Sequence, residues 1–193
     1  MKLFVEGGGD SNDLRTRCRE GFRTFLERAG VKKLPRIVAS GGRGAAYKDF
    51  CTELGQTGSA YLLVDSEEPF LGTLGEPWVH LKARDQWAKP PNASDSQCHL
   101  MVVCMESWFL SDKGSLGLYY GQGFRPDALP QNPKIEEILK PALFQGLENA
   151  TKETKKGAYS KGDHSFRILK EIDPALVCAT SPWAQRLVTV LKA

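Results

Sequence analysis

Apolar residues along this chain gather in short runs that end abruptly. Leu3-Phe4-Val5 stops at Glu6-Gly7-Gly8-Gly9-Asp10, and Arg36-Ile37-Val38-Ala39 stops at Ser40-Gly41-Gly42-Arg43. A third run, Ala60-Tyr61-Leu62-Leu63-Val64, stops at Asp65-Ser66-Glu67-Glu68-Pro69. Runs of this length, bounded by glycine or polar turn residues, predict buried strands. After the first, Leu14, Cys18, Phe22, Phe25, Leu26 and Ala29 keep three- and four-residue spacing, which predicts a helix capped by Ser11 or Asn12 and ended by Gly30. Ala46, Phe50, Cys51 and Leu54 continue the helical spacing after the second. Apolar strands alternating with amphipathic helices predict an α/β fold, because parallel strands need crossovers and are covered on both faces. In such a sheet the carboxyl ends of the strands share one rim, where ligands usually bind. Glu6, Asp10, Arg43, Asp65 and Glu67 are expected to converge there.

Residues 68–97 carry Pro69, Pro77, Pro90 and Pro91 and no strong period, so they read as a loop excursion in which Trp78-Val79-His80-Leu81 is the one strand-like piece. A fourth buried run, Leu100-Met101-Val102-Val103-Cys104, delivers Glu106, with Met105, Trp108 and Phe109 expected in the core. Beyond Asp112, read as a surface or capping residue, the pattern is mainly helical. Segments are expected near 135–147, 165–172 and 182–192, the last capped by Ser181 with Pro182 at its first position. Residues 1–193 thus form one domain, with a sheet core over 1–112 and a helical part over 113–193.

Composition narrows the class. The chain has 193 residues, 41% hydrophobic and 25% charged, as in an ordinary globular protein, which argues against disorder, collagen or coiled coil. Lys and Arg number 26 against 23 Asp and Glu, a net charge of +3, too mild to announce a nucleic-acid partner by itself. No apolar run approaches the roughly 20 residues that span a bilayer, and Glu6 interrupts the start too early for a signal-peptide core, so a cytoplasmic protein without a membrane partner is expected. The five cysteines form no CxxC pair, which predicts reduced, mostly buried thiols. The phosphate loop GxxxxGK[ST], the dinucleotide pattern GxGxxG, the GxSxG elbow and HExxH are all absent.

What remains is the acidic rim. Clustered carboxylates need protons, basic partners or a cation to offset their repulsion. Glu6, Asp10, Asp65, Glu67 and Glu106 form an oxygen-rich set without His or Cys partners nearby in sequence, which favours Mg2+ or Mn2+ over zinc and points to phosphoryl or phosphodiester chemistry. Any one acid after a strand can equally be a cap or a solvated turn, Asp10 above all, and Glu68 reads as a loop charge. Arg43, after a double glycine, is placed to bind a phosphate or simply to start a helix in solvent. The basic stretch 152–164, with Lys155, Lys156, Lys161 and His164 around Tyr159, either tracks a phosphate backbone and stacks a base or is a solvated loop.

FVEGGGD followed by LLVDSEEP resembles the Toprim fold of topoisomerases, primases and OLD-family nucleases. FVEGGGDSNDL, SGGRGAAYKDF, LLVDSE, HLMVVCMESWFLSD, YSKGDHSF and IDPALV with SPWAQRL are together similar to a prokaryotic family of Toprim-like proteins without an assigned chemistry. The resemblance implies a central, mostly parallel sheet of about four strands, magnesium, and work on nucleic-acid phosphodiester bonds. It also implies Glu6 as the strand-end glutamate that moves a proton or binds metal, and Asp65 and Glu67 as the acidic pair. Glu67 departs from the usual Asp-x-Asp, its extra methylene shifting the oxygen by roughly a bond length. Three readings follow. One is a metal-dependent nuclease of DNA or RNA with Glu6, Asp65 and Glu67 as catalytic residues. Another is a non-catalytic binding module; proteins like this family are similar to companions of ATPases in anti-phage defence, which implies an ATPase partner under either reading. The third is a small-molecule phosphatase with residues 68–97 as a lid.

Overall fold

The computed structural model describes residues 1–70 and 72–193. Four strands form one sheet: β1 (Lys2–Val5), β2 (Arg36–Ala39), β3 (Ala60–Asp65) and β4 (Cys98–Met101). Their order is β2-β1-β3-β4, and every pairing is parallel, with Phe4 opposite Val38 and Leu62, and Val64 opposite Leu100. The fold is therefore α/β with an all-parallel, Rossmann-like sheet, as the strand pattern predicts. Parallel pairing requires long returns, and the first two are helices α1 (Asn12–Arg28) and α2 (Arg43–Thr57). Because β1 to β2 and β2 to β3 step in opposite directions across the sheet, right-handed crossovers place α1 and α2 on opposite faces.

Helix α1 begins where Ser11 Oγ accepts the Leu14 amide at 3.1 Å, and it buries Cys18, Phe22, Phe25 and Leu26. Phe25 stacks on Trp108 with ring centroids 5.2 Å apart, and Phe22 meets the same indole edge-on. Gly21 lets the helix α6 (Lys161–Glu171) approach, since a Cβ there would stand 3.0 Å from the Phe166 carbonyl oxygen. On the other face Phe50 of α2 packs on Trp78, which belongs to a helix.

That helix corrects the reading of 68–97 as loop with a strand-like centre: Pro77–Asp85 is α3, with Trp78 and Leu81 buried. A proline at its first turn and two buried side chains three residues apart suit a short helix, and the predicted alternation of a strand is absent. The fourth strand ends earlier than its apolar run. Val102 to Cys104 leave the sheet, and Met105–Ser111 form a 3-10 helix that buries Met105, Trp108 and Phe109. Further α-helices are α4 (Lys113–Tyr120), α5 (Lys140–Thr151), α7 (Pro174–Thr180) and α8 (Pro182–Lys192). Helix α5 starts later than the apolar pattern suggests, because Ile135–Glu137 form a separate 3-10 turn. Asp112 is the cap of α4, its Oδ1 accepting the Ser115 amide at 2.9 Å, while its Oδ2 accepts the Asp173 amide at 2.9 Å and ties α7 in. Ser181 caps α8 as expected.

Candidate metal centre

The strand ends are fastened to one another before any side chain is considered. Gly7 and Gly41 exchange backbone hydrogen bonds at 2.8 and 2.9 Å, joining the turns after β1 and β2. Gly8 sits at φ 87°, and a Cβ there would stand 2.9 Å from Arg15 Cα, so this turn against α1 requires glycine. Glu6 follows β1 directly. Its amide donates to the Leu63 carbonyl, and its Oε2 accepts the Asp65 amide at 3.0 Å, so the carboxylate is held over the end of β3.

Asp65 closes β3 and is 3% exposed. Its Oδ1 accepts the Met105 amide at 3.0 Å, which fixes the first turn after β4. The turns after β3 and β4 each hold a non-glycine residue in the left-handed region, Glu67 at φ 72° and Val103 at φ 61°. The two are hydrogen-bonded, Glu67 N to Val103 O at 2.9 Å, and Ser66 Oγ accepts the Val103 amide at 2.8 Å. The outcome is that Glu6, Asp65 and Glu67 each offer a carboxylate oxygen, all within 4.8 Å of one another. These three residues could hold a metal ion.

Basic side chains surround them. Lys140, the first residue of α5, places Nζ 2.6 Å from Glu67 Oε2 and 3.7 Å from Asp65 Oδ2. Arg43, the first residue of α2, donates to the Asp65 carbonyl, pairs with Asp85 at 2.5 Å, lies 3.9 Å from Glu6 Oε2 and rests over the Trp87 ring. Arg84 bridges Asp85 and Glu67. A cavity of about 260 Å3 opens beside Glu6 and Asp65, walled by Gly7, Gly8, Gly9 and Gly41, with Glu106, Lys161 and Phe166 opposite. Glu106 is fully buried there. Its Oε1 accepts the Tyr159 hydroxyl at 2.9 Å and faces Lys161 Nζ at 3.7 Å, while its Oε2 has no hydrogen-bond partner.

This environment shifts the proton affinities of its groups. Burial raises the proton affinity of Glu6, partly countered by Arg43 and the Asp65 amide. Burial, and then the charges of Glu6 and Glu106, lift Asp65 well above the usual carboxylate range. Burial acts on Glu67 in the same sense, but its bond to Lys140 and the nearby Arg43 and Arg84 leave it below its ordinary value. Lys161 loses solvation, which favours the neutral amine, yet Glu106, Asp65 and Glu6 together hold it protonated.

Of the residues expected to converge, Glu6, Arg43, Asp65 and Glu67 do. Asp10 does not: it is exposed in the turn before α1, outside the trio, and Ser11 performs the capping. Glu106 reaches the cavity but not the trio, because its carboxylate is turned to Tyr159 and Lys161. The basic stretch divides. Lys161 enters the cavity wall, whereas Lys156 Nζ lies over the Tyr119 ring and His164 Nδ1 accepts the Ser160 amide and the Tyr120 hydroxyl. Tyr159 packs on Phe109 and Phe144 and gives its hydroxyl to Glu106, a structural use in place of base stacking. Lys140, Arg84 and Asp85 escaped the sequence reading. Lys140 stands one place before Pro141, a helix-start signal that leaves its charge at an element's end.

Among the described residues no helix is long and apolar enough to cross a membrane. Fold and site together define an α/β domain with an acidic cluster at the carboxyl rim of a parallel sheet. By its sequence the chain belongs to the family described as a domain of unknown function, DUF4276, whose model matches residues 5–192. Neither the curated proteins nor the solved structures contain a match to it.

Proposed function

We propose that this chain is a divalent-metal-dependent nuclease of the Toprim type, hydrolysing phosphodiester bonds in DNA or RNA. The observation that carries the reading is the trio Glu6, Asp65 and Glu67, with oxygens within 4.8 Å, beside protonated Lys161 and the guanidinium of Arg43. An all-oxygen donor set suits Mg2+ or Mn2+. The resemblance of FVEGGGD and LLVDSEEP to the Toprim motifs supports the same assignment. Glu6, Asp65 and Glu67 would hold the ion, which when bound supplies a Lewis acid for a phosphoryl oxygen and a more acidic water. The chain's own groups do the rest. Glu6, its Oε2 held by the Asp65 amide, orients the attacking water from Oε1. Lys161 and Arg43 offset the charge that grows on the phosphate. The resemblance also supports work beside an ATPase in anti-phage defence, since nothing in the sequence binds a nucleotide through a phosphate loop.

The test is cleavage of labelled DNA and RNA by purified protein with Mg2+ or Mn2+. Cleavage is expected to vanish in Glu6→Ala and in Asp65→Ala; activity that persists in both variants removes the assignment. One observation favours a second reading, the non-catalytic module. Lys140 already supplies a counter-charge to Glu67 and Asp65, so the acidic cluster is tolerable without a cation. That reading prevails if calorimetry finds no divalent-cation binding while the chain forms a tight complex with a neighbouring gene product.

A further inference from the structure

Away from the carboxylates, an open groove of about 820 Å3 runs between helix α1 and the edge strand β2. Its wall is rich in arginine. Arg15, Arg19 and Arg23 succeed one another at four-residue steps along α1, and Arg36 faces them from β2. Steps of four residues rise about 6 Å each, so the row extends about 12 Å. Arg15, Arg19 and Arg36 have no carboxylate partner among the described residues: Arg15 Nε donates to the Gly9 carbonyl, Arg19 Nη2 to Thr16 Oγ1, and Arg36 is exposed. Arg23 pairs with Glu27. The one acid on the wall, Glu20, is drawn 3.6 Å from Lys170.

The groove ends beside the turn that walls the acidic cavity. Arg15 stands at its upper end, bonded at 3.1 Å to Gly9, and Gly9 and Gly41 form the wall of the cavity that reaches Glu6 and Asp65.

We propose that this arginine-lined groove is a binding track for a nucleic-acid phosphodiester backbone, guiding a strand past Gly9 and Gly41 to the carboxylates. The choice of nucleic acid as occupant rests on the nuclease reading; the charge complementarity does not. This places the backbone contacts on α1 and β2, outside the basic stretch 152–164 that the sequence singles out.

The test is fluorescence anisotropy with a short labelled DNA duplex and a single-stranded RNA, in EDTA so that no cleavage occurs, across about 50 to 200 mM KCl. The combined variant Arg19→Gln, Arg23→Gln, Arg36→Gln changes exposed residues and should keep the wild-type melting curve. It should bind at least roughly tenfold more weakly, with a salt slope shallower by about 2 to 3. Glu20→Lys should bind more tightly, a gain that misfolding cannot imitate. Unchanged affinity and slope in both variants overturns the proposal, as does displacement of the nucleic acid by polyglutamate at equal charge, which would assign the groove to an acidic protein. Mn2+-dependent hydrolysis of bis(p-nitrophenyl) phosphate separates the two claims. Groove variants should retain it, and its absence from the wild type would remove the nuclease reading while leaving the track intact.

Discussion

Lys140 Nζ rests 2.6 Å from Glu67 Oε2, although the two residues are 73 positions apart. The same ammonium lies 3.7 Å from Asp65, so α5 delivers a tethered cation to the place where a divalent ion would sit. The protein thereby holds an internal competitor for any ion that the three carboxylates could bind.

Removing that competitor should strengthen cation binding. Two unit charges about 4 Å apart interact by about 1 to 4 kcal/mol between water-like and near-surface dielectric conditions. Lys140→Met is expected to raise Mn2+ affinity roughly tenfold in calorimetry, equivalent to about 1.4 kcal/mol. Equal affinities in the two proteins would show that Lys140 does not compete.

Asp65 buries a charge next to two other carboxylates, and its raised proton affinity records the cost. Asp65→Asn keeps an oxygen for the Met105 amide while deleting the charge. Without divalent ions this variant should be more stable than wild type by ~1–3 kcal/mol at pH 8, read by chemical denaturation. Added Mn2+ should raise the melting temperature of wild type and leave the variant unmoved. A stabilisation of both would place the ion elsewhere.

His99, buried on β4, gives the fold a pH dependence far from the rim. Burial, followed by the charge of Arg186, depresses it from 6.5 to about 3, and Arg186 Nη1 donates to its Nδ1 at 3.0 Å, which requires the neutral ring. The unfolded chain binds this proton below about pH 6.5 and the folded chain does not, so stability is present above that pH and falls as pH drops toward 3. At pH 5 the loss from this residue is ~2 kcal/mol relative to neutral pH. His99→Asn, which offers Oδ1 to Arg186, should flatten this part of the stability profile between pH 7 and pH 5. An unchanged slope would assign the acid sensitivity to other groups.

Glu106 depends on one hydroxyl. Tyr159→Phe leaves Oε1 without its 2.9 Å bond while Oε2 already lacks a partner, and should cost ~1–3 kcal/mol. Glu106→Gln in that background should recover part of the loss, because a neutral amide is cheaper to bury. A double variant no more stable than Tyr159→Phe would mean that Lys161 alone compensates Glu106.

The sheet was readable because β1, β2 and β3 are apolar runs closed by glycine or acids, and parallel topology then puts Glu6, Asp65 and Glu67 on one rim whatever their separation. Trp78 to Leu81 misled as a strand because a nine-residue helix supplies too few turns for its period to stand out. Asp10 and Asp65 look alike as acids after apolar runs. They differ in that Asp65 ends its strand, whereas Asp10 follows three glycines that carry the chain away. Lys140 and Arg84 were hidden for another reason: they arrive from helices whose docking depends on tertiary packing, which local pattern does not encode.

The paired left-handed residues Glu67 and Val103 have a consequence for how a ligand is received. Each such backbone costs of order 1–3 kcal/mol, and Ser66 and the Glu67 to Val103 hydrogen bond hold both in place. The backbone around the acidic cluster is therefore fixed by the chain's own bonds. An ion bound by the three carboxylates should displace the Lys140 ammonium and leave the main chain where it stands, an exchange of cations inside a preformed frame.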